Sequence, residues 1–336
     1  MRVTLRDIAQ RANVSPSTVS RVLNNYPFVD DVTRTAVMDA ARELKYAVDE
    51  QRRAPAVNRV ALLLTRSPVD NCADGAIIGG ELERLLAAGS QPVLAEHELT
   101  LRLQHTCMSP DQALLYAHEP GVAGLLISGG VVNRDFIRGL QAAGVPFVVA
   151  AAPVYPFAIN CATFEYARGA DSAVRHLAKT GRRRIGLVNG SPVTSTSEEK
   201  FRGYRYALAM QDLPFEQGQV VNTSDFDPED GYIGTQRLLT QATDLDAILY
   251  AADHMALGGL RAIKESGRRV PDDLAVVGFM DYEIARFTDP PLTTVRTDMQ
   301  KIGAVAARRL VMLIGRPDGE AWCISLPTQL IVRESA

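Results

Sequence analysis

Between residues 5 and 12 the apolar positions Leu5, Ile8, Ala9 and Ala12 recur at i, i+3, i+4 and i+7, one face of a short helix. Val19, Val22 and Leu23 mark a second short helix, and Val37, Ala40, Ala41 and Leu44 a third. From Val60 onward the pattern changes. Short apolar runs at Val60–Leu64, Val93–Ala95, Gly124–Ile127, Phe147–Ala150, Ile185–Asn189, Ala247–Tyr250 and Leu274–Phe279 predict strands. Between them, amphipathic stretches predict helices over Gly80–Ala88, Asp111–His118, Arg134–Ala143, Ala167–Lys179, Glu198–Gln211, Asp230–Thr240, Met255–Glu265 and Asp298–Ile314. Gly89, Gly144, Gly181 and Gly267 stand where each helix ends. Alternation of this kind implies parallel sheets covered by helices on both faces. About 280 residues exceed one core, so two sheets are expected, with a break near Pro153–Phe157.

The first segment carries local chemistry as well as rhythm. Thr4 is a good N-cap, and Asp7 three residues later completes a capping-box-like pair. Asn13 falls in the turn, where it tolerates positive φ, and Val14 plugs the corner. Ser15 caps the second helix, Pro16 takes its first position, and Asp30 caps the third. That is a helix-turn-helix. Its outward residues Pro16, Ser17, Ser20, Arg21 and Asn24 suit base edges and phosphates in a DNA major groove.

Composition sharpens this reading. The 336-residue chain has a net charge of −3, unevenly spread. Residues 1–59 hold 10 basic and 7 acidic side chains, a balance of +3, which leaves −6 for the remainder. A basic head on an acidic body fits a DNA tether confined to one end. The four cysteines (Cys72, Cys107, Cys161, Cys323) form no CxxC pair, and the five histidines show no ligand spacing. Neither a metal nor a cofactor is expected. The charged Met1–Asp7 segment is unlike a cleavable signal, and no apolar run reaches bilayer length, so a cytoplasmic location is expected. With no GxGxxG after a strand, no P-loop and no GxSxG, the pattern points away from an enzyme.

The first 46 residues resemble the head of the LacI/GalR family of bacterial transcription regulators. The likeness rests on Val3-Thr4-Leu5, Asp7-Ile8-Ala9, Val14-Ser15, Thr18–Asn24, Thr33-Arg34 and Glu43–Tyr46. It continues in His176-Leu177 with Gly181–Ile185, Gly203-Tyr204, Asp253–Gly258, Val276–Phe279 and Pro290–Val295. The resemblance implies a small all-α helix-turn-helix head followed by an α/β core of two doubly wound parallel-sheet subdomains, of the type I periplasmic-binding-protein-like kind. It places the head at 1–46, a hinge at 47–59 and the core at 60–333. The chain would cross between subdomains three times, giving subdomain 1 residues 60–157 and 292–321, and subdomain 2 residues 158–291 and 322–333, with a final strand near Ile324–Leu330.

By the same resemblance, double-stranded operator DNA is bound by Thr4, Leu5, Ser15, Pro16, Ser17, Thr18, Ser20, Arg21 and Asn24, with Arg52 and Arg53 in the hinge. A homodimer is expected, formed through the helix around Gly80–Leu86, and repression is the expected output. A small-molecule effector is expected between the subdomains, at Ser128, Ala151, Thr196, Lys200, Phe226, Ala252, Asp253, Met280, Asp281 and Thr297.

Two departures from the family pattern qualify these expectations. Ala151, Ala252 and Met280 stand where sugar-binding members carry polar side chains, and Lys200 replaces an arginine. A hydroxyl facing Ala or Met loses its partner, so a less hydroxylated or anionic metabolite is favoured: a sugar derivative, sugar phosphate or organic acid. A regulator that senses no ligand remains open at this point. In the hinge, Tyr46-Ala47-Val48-Asp49 and Arg52-Arg53-Ala54-Pro55 depart from the family pattern, and Pro55 would interrupt a helix there. The hinge helix is therefore expected to be truncated or absent.

Overall fold

In a computed structural model, the residues described are 3–23, 29–44, 46, 59–65, 77–108, 110–117, 119, 121–129, 134–154, 158–315 and 320–336. The hinge, including Arg52, Arg53 and Pro55, lies outside them, as does Asn24.

Three helices form the head: α1 (Leu5–Ala12), α2 (Pro16–Leu23) and α3 (Asp31–Glu43). Their apolar faces close over Ile8, Ala9, Val19, Val22, Val37, Ala40 and Ala41, all buried. Seven residues make a small core, so the caps matter. The Thr4 amide donates to the Asp7 carboxylate at 2.7 Å, and the Asp7 amide to the Thr4 hydroxyl at 3.4 Å. Asn13 ends α1 with φ 54°, the left-handed conformation its position in the turn required. Ser15 accepts from the Thr18 amide at 3.1 Å and Asp30 from the Thr33 amide at 2.8 Å.

The body contains two six-stranded sheets. The first uses β1 (Arg59–Thr65), β2 (Thr100–Met108), β3 (Val122–Gly129), β4 (Phe147–Ala150), β5 (Cys161–Phe164) and β11 (Cys323–Leu326), in the order β2-β1-β3-β4-β5-β11. In the second are β6 (Ile185–Asn189), β7 (Val220–Asn222), β8 (Ala247–Tyr250), β9 (Ala275–Met280), β10 (Thr293–Arg296) and β12 (Gln329–Ile331), in the order β7-β6-β8-β9-β10-β12. All ladders are parallel except β10–β12, which pairs Val295 with Leu330 antiparallel. The central strands are buried along their whole length, as sheets covered on both faces require.

Helices α4 (Ile77–Ala95), α5 (Pro110–Ala117), α6 (Arg134–Ala143) and α11 (Met299–Gly315) accompany the first sheet. Helices α7 (Tyr166–Lys179), α8 (Ser195–Met210), α9 (Pro228–Gln241) and α10 (Asp253–Glu265) accompany the second.

Several expectations are corrected. Val93–Ala95 is the last turn of α4, not a strand; Val93 and Leu94 bury the same face as Leu86, and β2 follows later at Thr100. Three apolar residues in a row fit either period, and only packing against α11 selects the helix. Gly89 therefore lies inside α4, not beyond it. A Cβ there would come 1.8 Å from the Gln300 carbonyl oxygen on α11, so the glycine is needed for close helix contact. Gly144, Gly181 and Gly267 do sit past helix ends at φ 65°, 92° and 79°.

The crossovers also move. The first follows β5, between Phe164 and Tyr166, not residue 157, because Cys161–Phe164 continues the first sheet beside β4. The second follows β10 at Arg296 rather than preceding Leu292. The expected strand Ile324–Leu330 is two strands in different sheets, β11 and β12, separated by Pro327, which has no N–H to offer a ladder.

Candidate effector site and nucleic-acid interface

The C-terminal ends of parallel strands are where α/β sheets bind ligands, and the sequence-predicted effector residues gather there. Ser128, near the end of β3, pairs in register with Ala150 of β4, and Ala151 follows at φ 63°. The Ala151 carbonyl accepts a hydrogen bond from the Tyr166 hydroxyl at 2.6 Å. Tyr166, buried at the start of α7, thus ties the first sheet to the second; nothing in its sequence context had marked it.

Above Tyr166 lies Lys200. It is 3% exposed, and Thr196 sits one turn earlier on α8, half-buried. The Lys200 Nζ donates to the Ala251 carbonyl at 2.9 Å. It also faces the rings of Phe279, Tyr166 and Phe226 at 4.8, 5.2 and 5.3 Å from their centroids. No carboxylate among the described residues forms an ion pair with it. Burial pulls its pKa down to about 7, against the attraction of Asp253. The Phe226 ring lies where a Cβ on Gly190 would be, 2.2 Å from the ring, so that glycine admits it.

Ala252 and Asp253 begin α10. Ala252 occupies the N-cap position and offers no side-chain cap. Asp253 is fully buried and turned towards the sheet: one carboxylate oxygen accepts from the Thr294 hydroxyl at 2.6 Å, the other from the Tyr282 amide at 2.8 Å. Burial raises its pKa to about 7, opposed by those two hydrogen bonds. Asp281, at φ 55°, accepts from Arg296 at 2.7 Å and from Arg333 at 2.5 Å. Both acidic side chains are therefore engaged within the protein, Asp281 by two arginines that sequence reasoning missed. Met280, at φ 108°, meets the Thr297 hydroxyl through its sulfur at 3.5 Å.

A separate groove of about 500 Å³ lies between Gly80, Glu81 and Arg84 of α4 and Glu283, Ile284 and Phe287 of the second subdomain. None of the sequence-predicted effector residues lines it. Among the described residues, no group of His, Cys, Asp or Glu is placed to hold a metal ion. No described helix is long and apolar enough to cross a membrane.

In the head, Pro16, Ser17 and Arg21 are exposed together on α2. The Ser15 hydroxyl is within 2.7 Å of Ser17 Oγ and 2.8 Å of Thr18 Oγ1, so the cap also orders the start of this face. Thr4 is exposed at the N-terminus of α1, Ser20 is half-buried, and Leu5 packs partly into the head core.

Comparison with known proteins agrees with both parts. Residues 4–49 match the model of bacterial regulatory proteins of the lacI family, and residues 174–336 match that of the periplasmic binding protein-like domain. The chain is 33% identical to the HTH-type transcriptional regulator CelR of Thermobifida fusca, across 99% of this chain and 98% of CelR. It is 28% identical to the probable HTH-type transcriptional repressor ExuR of Bacillus subtilis (strain 168), with the same coverage. The solved complex of CelR with cellobiose superimposes with a TM-score of 0.76 at 30% identity, covering 100% of both chains. The lac repressor dimer bound to operator and the anti-inducer ONPF gives 0.72 at 26% identity, covering 100% of this chain and 99% of that one. A helix-turn-helix head, two parallel sheets crossed three times by the chain and end-to-end similarity to such regulators together mean that this protein belongs to the lacI family of bacterial regulatory proteins.

Proposed function

We propose that this protein is a transcriptional repressor that binds a palindromic operator as a homodimer and is controlled by a small metabolite between its two core subdomains. The carrying observation is the meeting of both sheets at one point: Ala151 of the first subdomain, Tyr166 at the crossover, and Lys200 of the second. A ligand that closes on this point shifts one subdomain against the other about the three crossovers. In a dimer that changes the spacing of the two heads, a coupling usually worth about 1–3 kcal/mol. The relatives support this scheme, since one is named for a cellobiose complex and another for a dimer on its operator. The metabolite classes that suit the site are sugar derivatives, sugar phosphates and organic acids. The reading has no catalytic step and places the protein in the bacterial cytoplasm, on DNA.

In the head, Thr4, Ser15, Pro16, Ser17, Thr18, Ser20 and Arg21 carry the DNA contacts. The test is selection of bound sequences from random DNA by the full-length protein. A two-fold symmetric site is expected; failure to enrich any sequence would overturn the reading. A second reading, regulation by occupancy without a ligand, draws support from the apolar Ala151, Ala252 and Met280. Thermal shift across the three metabolite classes separates the two.

A further inference from the structure

We propose that the ligand of this site carries an anionic group, a carboxylate or a phosphate, held between the Lys200 ammonium and the open N-terminus of α10. The proposal rests on the effector-site reading above and names the chemistry of that ligand.

Three observations carry it. First, Lys200 is a buried amine with no ion-pair partner among the described residues. Its ammonium has three N–H donors, and the described residues supply one acceptor, the Ala251 carbonyl at 2.9 Å. The three aromatic faces around it attract the cation, but they neutralise no charge. Asp253, the carboxylate that acts on it electrostatically, has both oxygens committed to Thr294 and Tyr282. A buried charge is ordinarily paired.

Second, the acceptor of Lys200 is the residue just before the N-cap of α10, a helix of 13 residues. Ala252 cannot cap it, and Asp253 turns its carboxylate to the sheet rather than to its own helix end. The first-turn amides of Asp253, His254 and Met255 have no acceptor among the described residues. Free amides and the helix dipole favour an anion at this end.

Third, three of the positions assigned to the site carry no hydroxyl or charge. Ala151 and Ala252 present methyl groups, and the Met280 sulfur is taken by Thr297. A ligand recognised here is gripped by its charge more than by a ring of hydroxyls.

The experiment compares pairs that differ in one group. Full-length protein is titrated calorimetrically with glucuronate and glucose, then with glucose 6-phosphate and glucose, and its thermal shift is read with inorganic phosphate. In at least one pair the anionic member should bind tenfold or more tighter than glucose. The carboxylate and phosphate arms tell the two groups apart. Lys200→Met should abolish that preference, and Lys200→Arg should retain it. Removing a buried charge favours folding, so the Met variant is a fair test; its melting temperature checks this. Equal affinity within every pair, or a preference unchanged in Lys200→Met, overturns the proposal. The same samples are assayed on the selected operator. Intact DNA binding without ligand discrimination sinks the anion assignment alone, whereas loss of DNA recognition by the unmodified protein sinks the regulator reading itself.

Discussion

Glu81 on α4 and His254 on α10 meet across the two subdomains, with Oε2 and Nε2 3.7 Å apart. His254 packs against the Tyr282 ring at 5.0 Å, and its other ring nitrogen is buried with no hydrogen-bond partner among the described residues. A contact between the two subdomains thus involves a titratable ring.

Burial lowers the His254 pKa below 6.5, with Glu81 opposing. A folded-state pKa below the unfolded one gives stability that is present above about pH 6.5 and lost as pH falls towards the folded value. Unfolding measured from pH 7.5 to 5 should therefore show a steeper loss for the unmodified protein than for His254→Gln. Parallel pH profiles would contradict this.

Asp253 works in the opposite direction. Its folded pKa, about 7, lies above the ordinary 3.8. Its contribution is fully present below pH 4 and is lost as pH rises through 7. Asp253→Asn should flatten that slope. Its cost in stability should be larger at pH 5, where the carboxyl is mostly protonated and still contributes, than at pH 8. Denaturant titration at pH 5 and pH 8 reads both effects.

Gly89→Ala should destabilise the core by about 1–3 kcal/mol, since the new Cβ would overlap the Gln300 backbone and force α4 and α11 apart. Gly144→Ala meets no atom within 4 Å but carries a strained φ of 65°, so its cost should be smaller. Melting temperatures of the two variants test the order.

In the head, Ser15→Ala removes the cap on the Thr18 amide and should cost about 1 kcal/mol, melting the head earlier without altering the body. Arg21→Ala leaves the fold intact, because Arg21 is exposed, and should weaken operator binding. Gel-shift affinity alongside circular dichroism distinguishes a lost contact from a lost fold. Unchanged affinity in Arg21→Ala would misplace the recognition helix.

The head was legible from its residues because its determinants are local. Caps at Thr4, Ser15 and Asp30 and a left-handed Asn13 act over three or four residues. The buried strands β4, β6 and β8 were legible for a related reason: four or five apolar residues between turn signals leave few alternatives. The residue types proposed for the effector site could also be read, down to the lysine at position 200.

Tertiary structure decided what depends on distant partners. Val93–Ala95 became helix because α11 lies against it, and Cys161–Phe164 joined the first sheet because β4 and β11 flank it. Pro327 divides two strands whose sheets lie in different subdomains. The roles of the charged residues followed the same rule. Asp281 is bound by Arg296 and Arg333, 15 and 52 positions away, while Lys200 receives three aromatic faces and, among the described residues, no carboxylate ion pair. Local sequence set the propensities and the chemical groups, because hydrogen-bond caps and hydrophobic period act within a few residues. Which charged groups met a counter-charge among the described residues was settled only by the folded packing of segments far apart in the chain.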